Sequence, residues 1–168
     1  MGKSAAKGPP APLSDGKPPA PKSYRGTYER GVDGSIRVLL PKEWREVGDT
    51  TFLVMVWPLV GPAEYLSILP PGPAAKLHAK LEDIPLSDTE GTALARTIAS
   101  RSYEIKLDDY GRLPIPVMAA KAVGIEEKVS LVGVFTRFEL WSPERHTAAM
   151  SRPEFIAQVE KSLAARSI

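Results

Sequence analysis

The sequence predicts a mixed α/β protein in which two homologous halves interlock as one barrel-like unit flanked by helices. Three observations carry this: a motif that recurs 75 residues along the chain, strands that are apolar on both faces, and helical periodicity between and after the copies. With 168 residues, 43% hydrophobic and 25% charged, the chain can fill one ordinary core or two small, mutually dependent lobes.

The opening "MGKSAAKGPPAPLSDGKPPAPK" has six prolines and four lysines and almost nothing large and apolar. Such a segment buries too little surface to offset ordering, so residues 1–22 are expected to be a disordered basic tail. Removing its four lysines and one aspartate leaves 18 basic and 19 acidic residues, so the body is close to neutral. Any attraction to phosphate must then come from a local patch or from the tail.

The first copy begins at Tyr24. Laying "TYERGVDGSIRVLLP" (27–41) over "SYEIKLDDYGRLPIP" (102–116) matches Tyr28 with Tyr103, Glu29 with Glu104, Asp33 with Asp108, Arg37 with Arg112 and Pro41 with Pro116. Each copy continues through a short polar segment into an apolar run, "TFLVMVWP" or "VSLVGVF". A short strand closes each, "EYLSILPP" against "RFELWSPE", at an offset of 73. Val129, Leu131 and Phe135 alternate with Val132 and Val134, the pattern of a strand covered on both sides. A half of roughly 45 residues with such strands is unstable alone, so the halves must pack on or interlock with each other.

Helices fill the intervals. "PAAKLHAKLEDI" (73–84) has Leu77 and Leu81 at helical spacing before Pro85 stops it. Ser87 with Glu90 forms a capping box for a second helix carrying Leu94 and Ile98 on one face. Ser151 with Glu154 caps a last helix whose Phe155, Ile156, Val159 and Leu163 form an apolar stripe, expected to cover a core or, alternatively, to make an oligomer contact.

The repeated turn holds the candidate chemistry. Asp108 can accept hydrogen bonds from amides two residues on, and Gly111 can take the left-handed conformation that closes the turn. Arg112 then projects from a fixed base with Asp108 near enough to orient its guanidinium. Such an arginine can grip a phosphate or make a bidentate contact to a guanine edge. The same pair can equally brace a hairpin, and residue chemistry alone leaves both readings open.

Other constellations exclude more than they suggest. The chain has no cysteine and only two histidines, His78 and His146, so disulfides, thiolate chemistry and a cysteine-ligated metal are ruled out; no metal or cofactor is expected. The adjacent Asp108 and Asp109 have no nucleophile or histidine near them in sequence, and no phosphate-cradling glycine motif occurs, so no catalytic residues and no small-molecule substrate are expected. Trp141 sits at a strand end among apolar neighbours, where core packing is the expected role. The most apolar run, "FLVMVWPLV", is about half of a bilayer span, and no apolar stretch follows the first lysines. A soluble cytoplasmic protein follows as the expectation.

The series "YRGTYERGVDGSIRVLLP", "IPLSDTEGTALARTIASRSYEIKLDDYGRLPIP" and "VSLVGVFTRFELWSPE" resembles the MraZ family, bacterial proteins of two tandem SpoVT-AbrB type swapped-hairpin modules. The likeness covers about Tyr24 to His146. It implies a pseudo-twofold swapped-hairpin barrel with modules at 23–72 and 101–146, linking helices at 73–100 and a C-terminal helix at 147–168. It further implies a nucleoid-associated transcriptional regulator that assembles into homo-oligomeric rings and binds double-stranded DNA at short G-rich direct repeats ahead of division and cell-wall genes. The family's DNA-reading motif falls on Asp33 and Arg37 and on Asp108 and Arg112, with Gly111 organising the second turn and Arg25 a weaker phosphate candidate. Where the family usually has lysine and glycine before the first arginine, this chain has Ser35 and Ile36. A β-branched residue is costly in a left-handed turn, so the first turn is expected to differ in shape and Arg37 to contact DNA less well. A structural or protein-interaction ring with weakened DNA reading is the alternative this departure raises.

Overall fold

A computed structural model of the chain describes residues 22–45 and 50–168, so the proline-rich tail lies, but for Lys22, outside the described residues. Strands β1 (Thr27–Gly31) and β2 (Arg37–Leu39) lead through a 3-10 turn at Lys42–Trp44 to β3 (Thr51–Trp57) and β4 (Tyr65–Leu69). Helices α1 (Pro71–Glu82) and α2 (Thr89–Ser100) follow. The second half runs β5 (Ser102–Lys106), β6 (Arg112–Pro114), α3 (Val117–Val123), β7 (Lys128–Val134), β8 (Arg137–Trp141), α4 (Pro143–Met150) and α5 (Pro153–Arg166).

The pairing shows how the halves interlock. Six strands form one antiparallel sheet in the order β1, β7, β8, β4, β3, β5, and β2 pairs with β6 as a separate ribbon. Each half's first strand thus joins the other half's third strand. Tyr28 lies opposite Leu131 on β7, and its counterpart Tyr103 lies opposite Val54 on β3. The central pairs fix a pseudo-twofold axis: Ser67 faces Glu139 across β4 and β8, and Val38 faces Leu113 across β2 and β6. Exchanging the halves carries each of these pairs onto itself. Among the described residues the sheet has β1 and β5 as free edges, so the architecture is an open sheet with a ribbon over it, not the closed barrel expected.

The register also corrects the repeat. Trp57 pairs with Tyr65 and Val134 with Arg137, so Tyr65 corresponds to Arg137. That is an offset of 72, one less than the sequence alignment supplied. In a strand a one-residue slip exchanges the two faces. The corrected alignment matches buried Leu66 and Ile68 with buried Phe138 and Leu140.

One core lies between the sheet's inner face and the ribbon. Val38 and Leu113 from the ribbon, Phe52 and Val54 from β3, Leu66 and Ile68 from β4, and Phe138 and Leu140 from β8 are fully buried there. Burying a side chain of this size contributes about 1.5–3 kcal/mol, so the ribbon is anchored by hydrophobic contact rather than by its few backbone bonds. Tyr24, Trp44 and Phe138 pack ring to ring, with Tyr24 and Trp44 edge-on at 5.5 Å. Gly133 lets the Tyr24–Gly26 segment lie close along the end of β7, since an added Cβ there would lie 2.5 Å from the Tyr24 carbonyl oxygen. A smaller cluster on the outer face joins Met55, Leu69 and Ile98 to Leu77 and Leu81 of α1.

Several helix expectations change. Asp88, not Ser87, caps α2, its carboxylate accepting from the Gly91 amide at 2.9 Å. The single C-terminal helix is two, with Ser142 capping α4 and Arg152 at the N-terminus of α5 without a side-chain cap. Helix α3 was not foreseen. The α5 stripe does not cover a core: Ile156, Val159 and Leu163 are 51%, 40% and 41% exposed. Phe135, expected in a strand covered on both sides, lies past β7 at φ 58° and is exposed. Trp141 is buried as expected, stacked on Tyr65 at 4.5 Å.

Candidate nucleic-acid interface

The ribbon brings the two predicted turns together. Val38 and Leu113 are its central pair and point into the core, so their neighbours Arg37 and Arg112 emerge on the opposite side. The turns are built alike. Asp33 Oδ1 accepts the amides of Ser35 and Arg37, each at 2.9 Å, and Asp108 Oδ1 accepts those of Tyr110 and Arg112, also at 2.9 Å. The Ile36 amide donates to the Asp33 carbonyl as the Gly111 amide donates to that of Asp108. Across the ribbon, Ile115 N–H donates to the Ile36 carbonyl and Leu40 N–H to that of Gly111.

The expectation that the first turn differs in shape is therefore overturned. Ile36 adopts φ 56° where Gly111 adopts φ 79°, so a β-branched residue occupies the left-handed position. Holding an L-residue there costs about 1–2 kcal/mol. The carboxylate bonds of Asp33, the cross-ribbon bond to Ile115 and the packing of Ile36 against the core outweigh it.

The second oxygen of each aspartate aims the guanidinium. Arg37 Nε donates to Asp33 Oδ2 at 2.9 Å, and Arg112 Nε to Asp108 Oδ2 at 2.8 Å. The terminal nitrogens lie farther from the opposite carboxylate, with Arg37 Nη1 3.9 Å from Asp108 and Arg112 Nη1 3.9 Å from Asp33. Each arginine thus spends one of its five N–H donors on its own aspartate and keeps the rest of its fork for a planar acceptor. Partial burial disfavours the Asp33 carboxylate. The amides of Arg37 and Ser35 and the Arg37 guanidinium outweigh that and hold its carboxyl below the usual range. Asp108 is held low in the same way, burial being outweighed by Arg112 and by the Tyr110 amide.

Gly111 has a further reason to be glycine: a Cβ there would meet Arg45 Cδ at 2.5 Å. Arg45, for which the sequence pattern predicts no role, runs under the second turn and donates from Nε to the Leu40 carbonyl at 2.9 Å. Tyr110 was also missed as a separate feature; its ring lies 5.1 Å from the Arg112 guanidinium carbon, and an aromatic beside the turn glycine was the available signal. Arg25 is not brought to the pair. It precedes β1 at the end away from the turn, roughly 20 Å along the strand, and lies over the Phe135 ring at 5.7 Å.

Fold and site together define a class: a tandem-repeat α/β protein that presents two aspartate-aimed arginines about one pseudo-twofold axis. The family model for MraZ protein, which its description calls antitoxin-like, matches residues 98–165. The transcriptional regulator MraZ of Clostridium tetani is 32% identical over 122 residues, 73% of this chain and 83% of that protein. The protein of that name from Lactiplantibacillus plantarum is 31% identical over 125 residues, 72% and 83% of the two chains. That from Thermoanaerobacter pseudethanolicus is 32% identical over 120 residues, 71% and 80%. The chain belongs to the MraZ family. The matched region extends through α4 and most of α5, beyond the His146 limit of the resemblance read from sequence.

Proposed function

We propose that this chain is a transcriptional regulator that binds double-stranded DNA through the β2–β6 ribbon, Arg37 and Arg112 contacting the groove face and Asp33, Asp108 and Gly111 holding the turns. The observation that carries this reading is the paired turn: two guanidiniums fixed at Nε, open at their terminal nitrogens and related by a twofold axis. The relatives' shared name, transcriptional regulator, supports the class of function. Following the family pattern, the interlocked halves are two SpoVT-AbrB type modules with exchanged hairpins, and copies assemble into a ring in the cytoplasm, on the nucleoid. Short G-rich direct repeats ahead of division and cell-wall genes are the proposed sites. Arg25, a strand away, is kept for a separate phosphate contact.

The alternative, a structural or protein-interaction ring with weakened DNA reading, drew on a differently shaped first turn. The matching hydrogen bonds of the two turns remove that support, although the exposed α5 stripe still suits self-association. Fluorescence anisotropy with a tandem G-rich duplex and a scrambled one, at low and near-physiological salt, separates the two. A preference for the repeats that persists as salt rises is the expected result, because phosphate contact alone weakens steeply with salt. Arg112→Ala should reduce that preference by at least about tenfold and leave the fold intact; unchanged binding by the variant would refute the assignment.

A further inference from the structure

We infer that Tyr110 is a specificity-determining residue of the ribbon, and that it makes the preferred duplex site asymmetric, with the more stringent half under the second turn. This rests on the DNA-binding reading above. The two turns share their amide bonds and a left-handed third residue after the aspartate, and their arginine side chains are almost equally exposed, 33% and 32%. Equal arginines on equal backbones about a twofold axis would read the two halves of a duplex alike.

The side chains one position earlier break that equality, Ser35 in the first turn against Tyr110 in the second. Tyr110 is 75% exposed and packs into neither apolar cluster, yet its backbone is fixed by the Asp108 carboxylate. Burial therefore does not account for it. Its ring instead forms a shelf beside Arg112, within cation–π distance of the guanidinium. Both arginines are held at Nε by their own aspartate and lie 3.9 Å from the opposite one, but Arg112 is restrained by an aromatic face as well, which the first turn does not supply to Arg37. The outer edge of the ring and the phenol hydroxyl remain beside the arginine fork, able to meet a thymine methyl or to donate to a phosphate or base acceptor. Serine at position 35 offers a short hydroxyl and no shelf.

The test is selection from a duplex library with a randomised core, using the full chain and Tyr110→Ser, Tyr110→Phe and Ser35→Tyr. The wild type should enrich a site whose halves differ in information content. Tyr110→Ser should lose about tenfold in affinity for that site and give more equal halves. Tyr110→Phe, which keeps the shelf, should retain the uneven preference, and Ser35→Tyr should sharpen the weaker half. Far-ultraviolet circular dichroism should be unchanged, since the ring is at the surface. If the Tyr110→Ser preference matches the wild type in both halves, the inference is overturned while DNA binding stands. If the wild type enriches nothing, the DNA-binding reading falls and takes this inference with it.

Discussion

At the scale of single residues, the site depends on two aspartates whose oxygens have separate tasks. Oδ1 holds the turn and Oδ2 aims the arginine, so a substitution can divide them. Asparagine keeps one acceptor oxygen and replaces the other with a donor. Asp108→Asn should keep most of the urea midpoint yet lose DNA affinity, whereas Asp108→Ala should lower both; equal stability loss in the two variants would show that the turn needs the charge itself. The acid dependence follows from the depressed carboxyl of Asp108. Its stabilising bonds are complete above the ordinary carboxylate pKa and disappear as pH falls through the lower folded-state value. The stability difference between wild type and Asp108→Ala should therefore be full at neutral pH and shrink in acid. Position 36 gives a second prediction. Ile36→Gly releases strain of about 1–2 kcal/mol, but adds backbone freedom worth about 0.5–1 and removes a half-buried side chain. A net change within about 1 kcal/mol is expected from denaturant unfolding. Gly111→Ile, by contrast, adds the strain and a collision with Arg45, and should cost more than about 2 kcal/mol.

At the scale of elements, what could be read depended on length and on what packs where. The turns were legible because aspartate, glycine and arginine each have a local physical task. Ile36 misled because its left-handed conformation is imposed by the ribbon's long-range bonds, which local propensity does not contain. Seven-residue α3 was too short to show a periodicity, though Ala119, Ala120 and Val123 form its buried face. Helix α4 left a clearer signal, with Ser142 as cap, Pro143 first and Glu144 in the first turn. The α5 stripe was seen, but its role depends on what faces it, and Ile156, Val159 and Leu163 face outward in the chain. Val159→Lys with Leu163→Lys should therefore change stability by no more than about 0.5 kcal/mol per site while reducing the mass of the proposed assembly, measured by light scattering. An unchanged mass would remove α5 from the assembly contact, and unfolding would show that the stripe is core after all.

At the scale of the whole molecule, the repeat was legible as a motif, but its consequence lies in the pairing. Sequence could show that two halves exist and that neither could stand alone. The residue pattern alone could not show that β1 would leave its own half for β7 and β5 for β3, because both strands are five residues long and nearly alike in which positions are exposed. That exchange makes the chain physically inseparable at a place where its covalent connection is slight. The segment between α1 and α2 is largely exposed and takes no part in the sheet. Cutting it yields one fragment with β1 to β4 and another with β5 to β8. Each fragment alone leaves its first strand without the partner it uses in the intact chain, and removes half of the ribbon from over the core. Fragments ending and beginning near Pro85 should copurify in equal amounts when coexpressed, unfold together in one cooperative transition, and give no such transition separately. The cut complex should be less stable than the intact chain and more so on dilution, since the second fragment now has to be held by concentration rather than by linkage. A fragment that folds cooperatively alone would show that the halves are independent domains and that the exchanged strands are not what holds the ribbon and its arginines in place.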